Sequence, residues 1–129
     1  KCDYFSIDKG EAHLALHKKF DDISMIHHEL NKMTAAKVSS ITLGINGTSV
    51  MGANGNQVTA PIFNTDVVDT IGAGDAYLSI TSLLAESGAS IEEIAFVGNA
   101  VGAMAVKIMG NKSYIRRVDL LKYLKTLLA

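Results

Sequence analysis

The segment Val67-Val68-Asp69-Thr70-Ile71-Gly72-Ala73-Gly74-Asp75-Ala76 constrains this chain more than any other. It leaves a β-prone run and opens a helix-prone one, with two glycines and an alanine at the joint. Glycine there lets the backbone turn sharply and lets a ligand approach closely. The first N–H groups of the helix lack intrahelical partners, and the helix dipole makes that end positive. An anion is favoured at such a place. Asp75 falls in the first helical turn, beside the anion position. A carboxylate there suits a general base, one that takes a proton from a hydroxyl attacking a phosphoryl group. A plain packing turn, with Asp75 complementing the helix dipole, explains an isolated Gly-x-Gly equally well. Two other phosphate loops are excluded. Leu78 stands near where a dinucleotide fingerprint needs its third glycine, and no Gly-Lys-Ser/Thr follows the turn.

The string Asp69-Thr70-Ile71-Gly72-Ala73-Gly74-Asp75 resembles the signature of the ribokinase/PfkB-type carbohydrate kinases, Asp-Thr-x-Gly-Ala-Gly-Asp, at every defined position. The resemblance runs along the whole chain, which is similar to only the C-terminal half of such a kinase. It implies a partial ribokinase-like domain over 1–129, with the N-terminal sugar-binding and lid portion absent. It further implies ATP-dependent phosphorylation of a sugar or sugar-phosphate hydroxyl. Asp75 is then the catalytic base, and the backbone N–H groups of Gly72, Ala73 and Gly74 stabilise charge on the transferring group. Asp69 matches a position that in several members helps bind a monovalent cation such as K⁺.

The resemblance adds a metal expectation near the chain start. The family carries Asn-x-x-Glu at the matching strand end, where it organises Mg²⁺ and phosphate largely through water. This chain reads Asp8-Lys9-Gly10-Glu11, with Glu11 kept and Asp8 in place of Asn. The change keeps an oxygen, adds charge and loses the amide donor. From the residues alone, Asp8 and Glu11 are equally acidic groups at a helix start, where they are favoured anyway. The run Thr42-Leu43-Gly44-Ile45-Asn46-Gly47 resembles the family segment lying along the donor phosphates, which makes Thr42, Gly44 and Gly47 candidate nucleotide contacts. Asn99 is the one amide in a helix that walls the adenine pocket in related kinases. It is either a lining residue or an asparagine bonded to backbone.

The remaining elements follow from pattern. Asp3 to Ile7 is β-prone. Glu11 to Phe20 reads as a helix with Ala12, Leu16 and Phe20 on one face. Asp21 or Asp22 caps a second helix over 23–36, striped by Ile23, Ile26, Leu30 and Met33. His27 and His28 are adjacent, so a helix points them in different directions, and both read as surface residues. His13 and His17 have i, i+4 spacing but nothing completes a ligand set. Val38 to Ile45 is rich in β-branched residues. Strands over 48–53 and 57–63 flank Asn54-Gly55, a good hairpin turn. The helix opened by the organising motif runs to Glu86 or Ser87, with Ala76, Ile80, Leu83 and Leu84 toward the core and Gly88 as its stop. Ser90-Ile91-Glu92-Glu93 is a capping box starting a helix to about Met109. Its crowd of Gly98, Ala100, Gly102, Ala103 and Ala105 permits close packing or leaves room for a flat ligand. Gly110-Asn111 ends that helix. Asp119 caps a last one with Leu120, Leu121, Leu124, Leu127 and Leu128 on its apolar face, and Arg116-Arg117 before it read as solvated.

Alternating strands and helices argue for a layered α/β/α domain, with a mostly parallel sheet and an antiparallel hairpin around Asn54-Gly55. Ligands in such sheets sit beyond the carboxyl ends of the strands, where the loops at 8–11, 44–47 and 70–75 would gather. Composition agrees with a globular domain: 48% of the 129 residues are apolar, enough for a core. A net charge of −1 leaves no footprint for nucleic acid or an anionic membrane. No apolar run is long enough to span a bilayer. One cysteine, Cys2, excludes an internal disulfide and suits the cytoplasm. Lys1 followed at once by strand-like residues reads as a piece of something longer. Expected partners are a nucleotide and a small sugar or sugar phosphate, with a homo-oligomer open. A weak likeness of the last segment to heptose-phosphate kinases adds the expectation of an associated nucleotidyltransferase domain. The competing functional reading is a noncatalytic, nucleotide-responsive module that retains the motif.

Overall fold

A computed structural model of the chain describes residues 2–17, 22–64, 66–67, 69–108 and 112–129. Strand β1 (Tyr4–Asp8) leads into helix α1 (Lys9–Leu16), then α2 (Ile23–Thr34) and β2 (Val38–Thr42). A single 3₁₀ turn (Gly44–Asn46) separates β2 from β3 (Thr48–Met51), and β4 (Gln57–Ala60) follows. Three helices complete the order: α3 (Ala73–Glu86), α4 (Ile91–Ala105) and α5 (Arg117–Leu128). The strands form one sheet in the order β1-β2-β3-β4.

The sheet is mixed. The expected parallel pairing is that of β1 with β2, whose connection contains two helices, whereas β2–β3 and β3–β4 are antiparallel. The links after β2 and β3 are too short for the crossover that parallel neighbours need. The Asn54-Gly55 hairpin is present, with Gly55 at φ 82°.

Strand alternation divides the structure into layers. Phe5, Ile7 and Ile41 point to one face and meet Ala12, Leu16, Ile26 and Leu30 of α1 and α2. Val38, Val50, Val58 and Ala60 point to the other and meet Leu84, Ile94 and Ala95 of α3 and α4. Helix α5 adds a third cluster, in which Leu120 joins Ala100 and Val101 of α4. Fully burying a side chain such as Ile26 or Ile41 contributes about 2 kcal/mol.

Helix starts follow their caps. Asp8 caps α1 in a reciprocal box with Glu11, so this helix begins two residues earlier than expected and ends at Leu16. Asp22 caps α2, its carboxylate accepting from Ser24 N at 2.8 Å. The Ser90–Glu93 box starts α4, with both reciprocal bonds present. Phe20, Asp21, Met109 and the Gly110-Asn111 stop lie outside the described residues.

Four other expectations are corrected. His27 is wholly buried, not on the surface, because its ring turns toward the sheet; His28 is exposed. Leu83 is 68% exposed, and the inward positions of α3 are taken by Tyr77 and Thr81. On α5 only Leu120 is buried, while Leu121 and Leu128 face solvent. Arg116 occupies the cap position of that helix, and Asp119 sits in its first turn, paired to the Arg116 guanidinium at 2.6 and 3.1 Å.

Candidate functional site

Two cavities flank the start of α3. The larger, about 540 Å³, opens beyond the carboxyl ends of β1 and β2, where Asp8 and Thr42 stand on its wall. Gly44, Ile45 and Gly47 close one side; Gly98, Asn99 and Gly102 of α4 close the other. Ala73 and Gly74 present the first turn of α3 to it. Gly72 and Asp75, from the same turn, face the second cavity, about 380 Å³, with Ser79, Ile80, Ser113 and Tyr114. The organising turn is thus a partition with one cavity on each side.

Local chemistry fixes the turn. Gly72 adopts φ 80°, a left-handed conformation that side chains avoid, and so reverses the chain into α3. Asp69 Oδ1 accepts from Ile71 N at 2.9 Å, and Asp69 N donates to Val106 O at 3.0 Å, tying the turn to the end of α4. Unlike α1, α2 and α4, α3 has no side-chain cap. Ala73 N donates to Thr70 O at 3.2 Å, a long bond, so the N–H groups of Gly74 and Asp75 carry most of the uncompensated donor capacity. A Cβ added to Gly74 would meet nothing within 4 Å, so its missing side chain leaves open cavity rather than relieving a clash.

Gly47 has a different reason to be glycine. It sits at φ 89°, and a Cβ there would lie 1.9 Å from Ala60 O. The end of β4 therefore packs directly on its backbone. Asn99 shows the same economy: Nδ2 donates to Ala60 O at 2.8 Å and to Pro61 O at 2.7 Å. Its amide nitrogen is spent on backbone while the residue still lines the cavity. Only Oδ1 is left to face a ligand.

Asp8 and Glu11 cap α1 with their carboxylates. Asp8 Oδ1 accepts from Gly10 N at 2.7 Å and Glu11 Oε2 accepts from Asp8 N at 3.2 Å. Asp8 lines the larger cavity; Glu11, Gly72, Asp75 and Asp69 do not. No cluster of three or more carboxylate, imidazole or thiol ligands occurs among the described residues.

The floor of the larger cavity contains a residue the sequence reading passed over. Tyr77, two positions after Asp75, lies against Gly98, where a Cβ would come within 2.5 Å of its ring. Thr48 Oγ1 donates to Ile41 O at 3.3 Å and accepts from the Tyr77 hydroxyl at 2.8 Å. Burial pushes the Tyr77 phenol up to about 12, so it stays neutral. Tyr4 Oη, 2.7 Å from Thr81 Oγ1 and 2.9 Å from Ser40 Oγ, ties the next turn of α3 to the sheet. A tyrosine amid apolar residues reads as core, and nothing local marked Tyr77 as a cavity residue. Phe63, Asn64 and Val67, also on the lining, come from the segment after Pro61. The ring of Phe63 is braced edge-on by Phe96 at 5.4 Å.

A layered α/β/α domain with an uncapped glycine turn between two cavities defines a class, the ribokinase-like fold. The family model for "pfkB family carbohydrate kinase" matches residues 1–115, and the chain belongs to that family. It is 27% identical over 105 residues to the Pyrococcus horikoshii protein named "Putative sugar kinase PH1459", covering 80% of this chain and 34% of that protein. Arabidopsis thaliana ribokinase, solved with ribose and ATP, superposes with a TM-score of 0.80 at 24% identity, covering 95% of this chain and 41% of that one. Escherichia coli phosphofructokinase-2, solved with potassium, gives 0.82 at 20% identity, covering 98% and 41%. The chain thus spans well under half the length of these proteins, and the two superpositions establish its fold. No helix among the described residues is long and apolar enough to cross a membrane.

Proposed function

We propose that residues 1–129 are the C-terminal, nucleotide-binding portion of an ATP-dependent carbohydrate kinase acting on a sugar or sugar-phosphate hydroxyl. One observation carries the reading: the α3 turn gives Ala73 and Gly74 to one cavity and Gly72 and Asp75 to the other. Donor and acceptor then approach the same turn from opposite sides. The donor lies over Gly44 and Gly47 with its terminal phosphoryl group at the uncapped N–H groups, where developing charge is stabilised without reorganisation. The acceptor oxygen attacks phosphorus, an O–P bond forms, the bond to the bridging oxygen breaks, and ADP leaves. The hydroxyl proton passes to the Asp75 carboxylate, to which no described group donates a hydrogen bond.

Mg²⁺ would enter with the nucleotide as part of the substrate and would supply charge neutralisation for its phosphates. An ion that keeps several waters and needs only one or two carboxylates fits a site with no three-ligand cluster among the described residues. Asp8, which lines the cavity, would hold it in this reading, with Glu11 adjoining. Asp69 sets the turn in this reading and is the candidate for a monovalent cation. The cytoplasm is the compartment proposed.

A noncatalytic, nucleotide-responsive module is the second reading. The capping box favours it, because Asp8 and Glu11 are both engaged in starting α1. Calorimetric titration of the folded chain with Mg²⁺ and a non-hydrolysable ATP analogue tests what the two readings share. Saturable binding that is lost in Gly74→Val is expected, since the new side chain enters open cavity without disturbing the fold. A folded chain that binds nothing overturns both readings.

A further inference from the structure

Helix α5 carries apolar residues on two sides. Leu120, with Tyr123, Leu124 and Leu127 beside it, packs on Ala100 and Val101 of α4. One such stripe is what a surface helix needs in order to fold. Val118, Leu121 and Leu128 lie on another side of the helix, 50, 47 and 75% exposed. Exposed apolar residues scattered singly are ordinary. These are in register. With the exposed Lys125 they fall at 118, 121, 125 and 128, the alternating spacing of a seam that meets a second helix. Arg117 and Lys122 flank that seam, so every charge on it is positive. The helix has one carboxylate, Asp119, and the Arg116 guanidinium holds it at 2.6 Å. Among the described residues no acid forms an ion pair with Arg117, Lys122 or Lys125. The family match ends at residue 115, so this surface lies outside it.

We propose that α5 docks an acidic amphipathic helix of a partner protein. The partner's apolar residues pack on Val118, Leu121 and Leu128, and its carboxylates meet Arg117, Lys122 and Lys125. Charge selects this occupant over a second copy of the chain. A seam that meets itself sets cation against cation in either orientation, because it holds no acid to alternate with them. Width selects it over a lipid surface. A helix lying in a membrane interface sinks a broad apolar face among the acyl chains. Here the exposed stripe is one residue wide and interrupted by Lys125, and the broader apolar side is already spent on α4. A lysine in the seam weakens packing but fixes register and partner, and an acid facing it recovers the loss. None of the residues lining the two cavities belongs to α5, so this surface stands apart from the nucleotide reading.

Fluorescence anisotropy of the chain with a labelled probe peptide tests this. The probe spans about three heptads, with leucine at its seam positions, one aspartate in the seam to face Lys125, and glutamate on both flanks. A control peptide carries lysine in place of every acid. The acidic peptide is expected to bind at least about tenfold tighter than the control, and to lose about tenfold in Leu121→Glu and about fivefold in Lys122→Glu. Both side chains are exposed, so both variants should keep the fold, which circular dichroism checks. Equal binding of the two peptides, or no binding by a folded chain, overturns the proposal. A dimer in sedimentation that Leu121→Glu dissociates also overturns it, by giving the seam to a second copy. Co-sedimentation with phosphatidylserine vesicles that Lys122→Glu abolishes, without peptide binding, overturns it in favour of a lipid surface.

Discussion

The two faces of the sheet are clasped by the same device and put to opposite use. On the α1/α2 face, the His27 imidazole lies between Ser39 Oγ at 2.7 Å and Ser49 Oγ at 3.0 Å, with Gln57 Nε2 donating to the same Ser49 oxygen. On the α3/α4 face, Tyr77 meets Thr48, and Tyr4 meets Thr81 and Ser40. Both networks tie a helix to β2 and β3 through buried hydroxyls. Around His27 the neighbours are large, Ile26, Leu30 and Ile41, and that face is filled. The Tyr77 ring instead packs on Gly98, and with Gly102, Ala73 and Gly74 it lines the larger cavity, which opens at one end of a face otherwise packed around Val50, Ile94 and Ala95. The lesson concerns residue size. Polar clasps hold the helices on both sides, and small residues on α3 and α4 line the larger cavity.

The comparison makes graded predictions. The largest effect is expected on the face that carries the cavity. In a chain that carries its acceptor half, Asp75→Asn should lower phosphoryl transfer by about a thousandfold while leaving nucleotide affinity within about twofold. Steady-state turnover alongside calorimetry checks this, and unchanged turnover removes Asp75 as base. Next comes the filled face. His27→Ala removes a buried ring and strands two serines, so unfolding by urea should show a loss of about 3 kcal/mol.

Acid should act on the same clasp. Burial, with the neighbouring His28 adding repulsion, lowers His27 from 6.5 to about 4. Between those values the unfolded chain binds the extra proton and the folded chain does not. Stability is therefore complete above pH 6.5 and falls as pH drops toward 4, by up to about 3 kcal/mol. The decline should vanish in a folded His27→Gln variant; an equal slope in that variant places the acid sensitivity elsewhere. A smaller effect is expected for Tyr77→Phe, about 1 kcal/mol, because Thr48 keeps its bond to Ile41 O. Smallest of all is Arg116→Ala: the Arg116–Asp119 pair is at the surface, and the melting temperature should not move.

Much of this architecture was readable in the residues. The Ser90–Glu93 box, the Asn54-Gly55 turn and the β-branched run from Val38 each state a local preference that tertiary packing kept. The family signature was complete in one string, because a turn into a helix is built from consecutive residues. The burial of His27 was not readable, since its partners Ser39 and Ser49 are small, common residues on strands placed opposite only by the sheet register. Tyr77 was hidden for the same reason, as its meaning comes from Gly98 on another helix. The role of Asn99 was left between lining and backbone bonding. The structure shows the backbone bonds, because β4 ends beside α4, and places the residue on the wall of the larger cavity.

Backbone amide shifts of the ¹⁵N-labelled chain during titration with Mg²⁺ and ADP would test the central claim most directly, since they read the two faces in one experiment. The account predicts saturable shifts at 44–47, at Ala73 and Gly74, and along α4 from Gly98 to Ala103, with α2 and its clasp around His27 unmoved. Shifts confined to the α1/α2 face, or none at all in a folded chain, would contradict it.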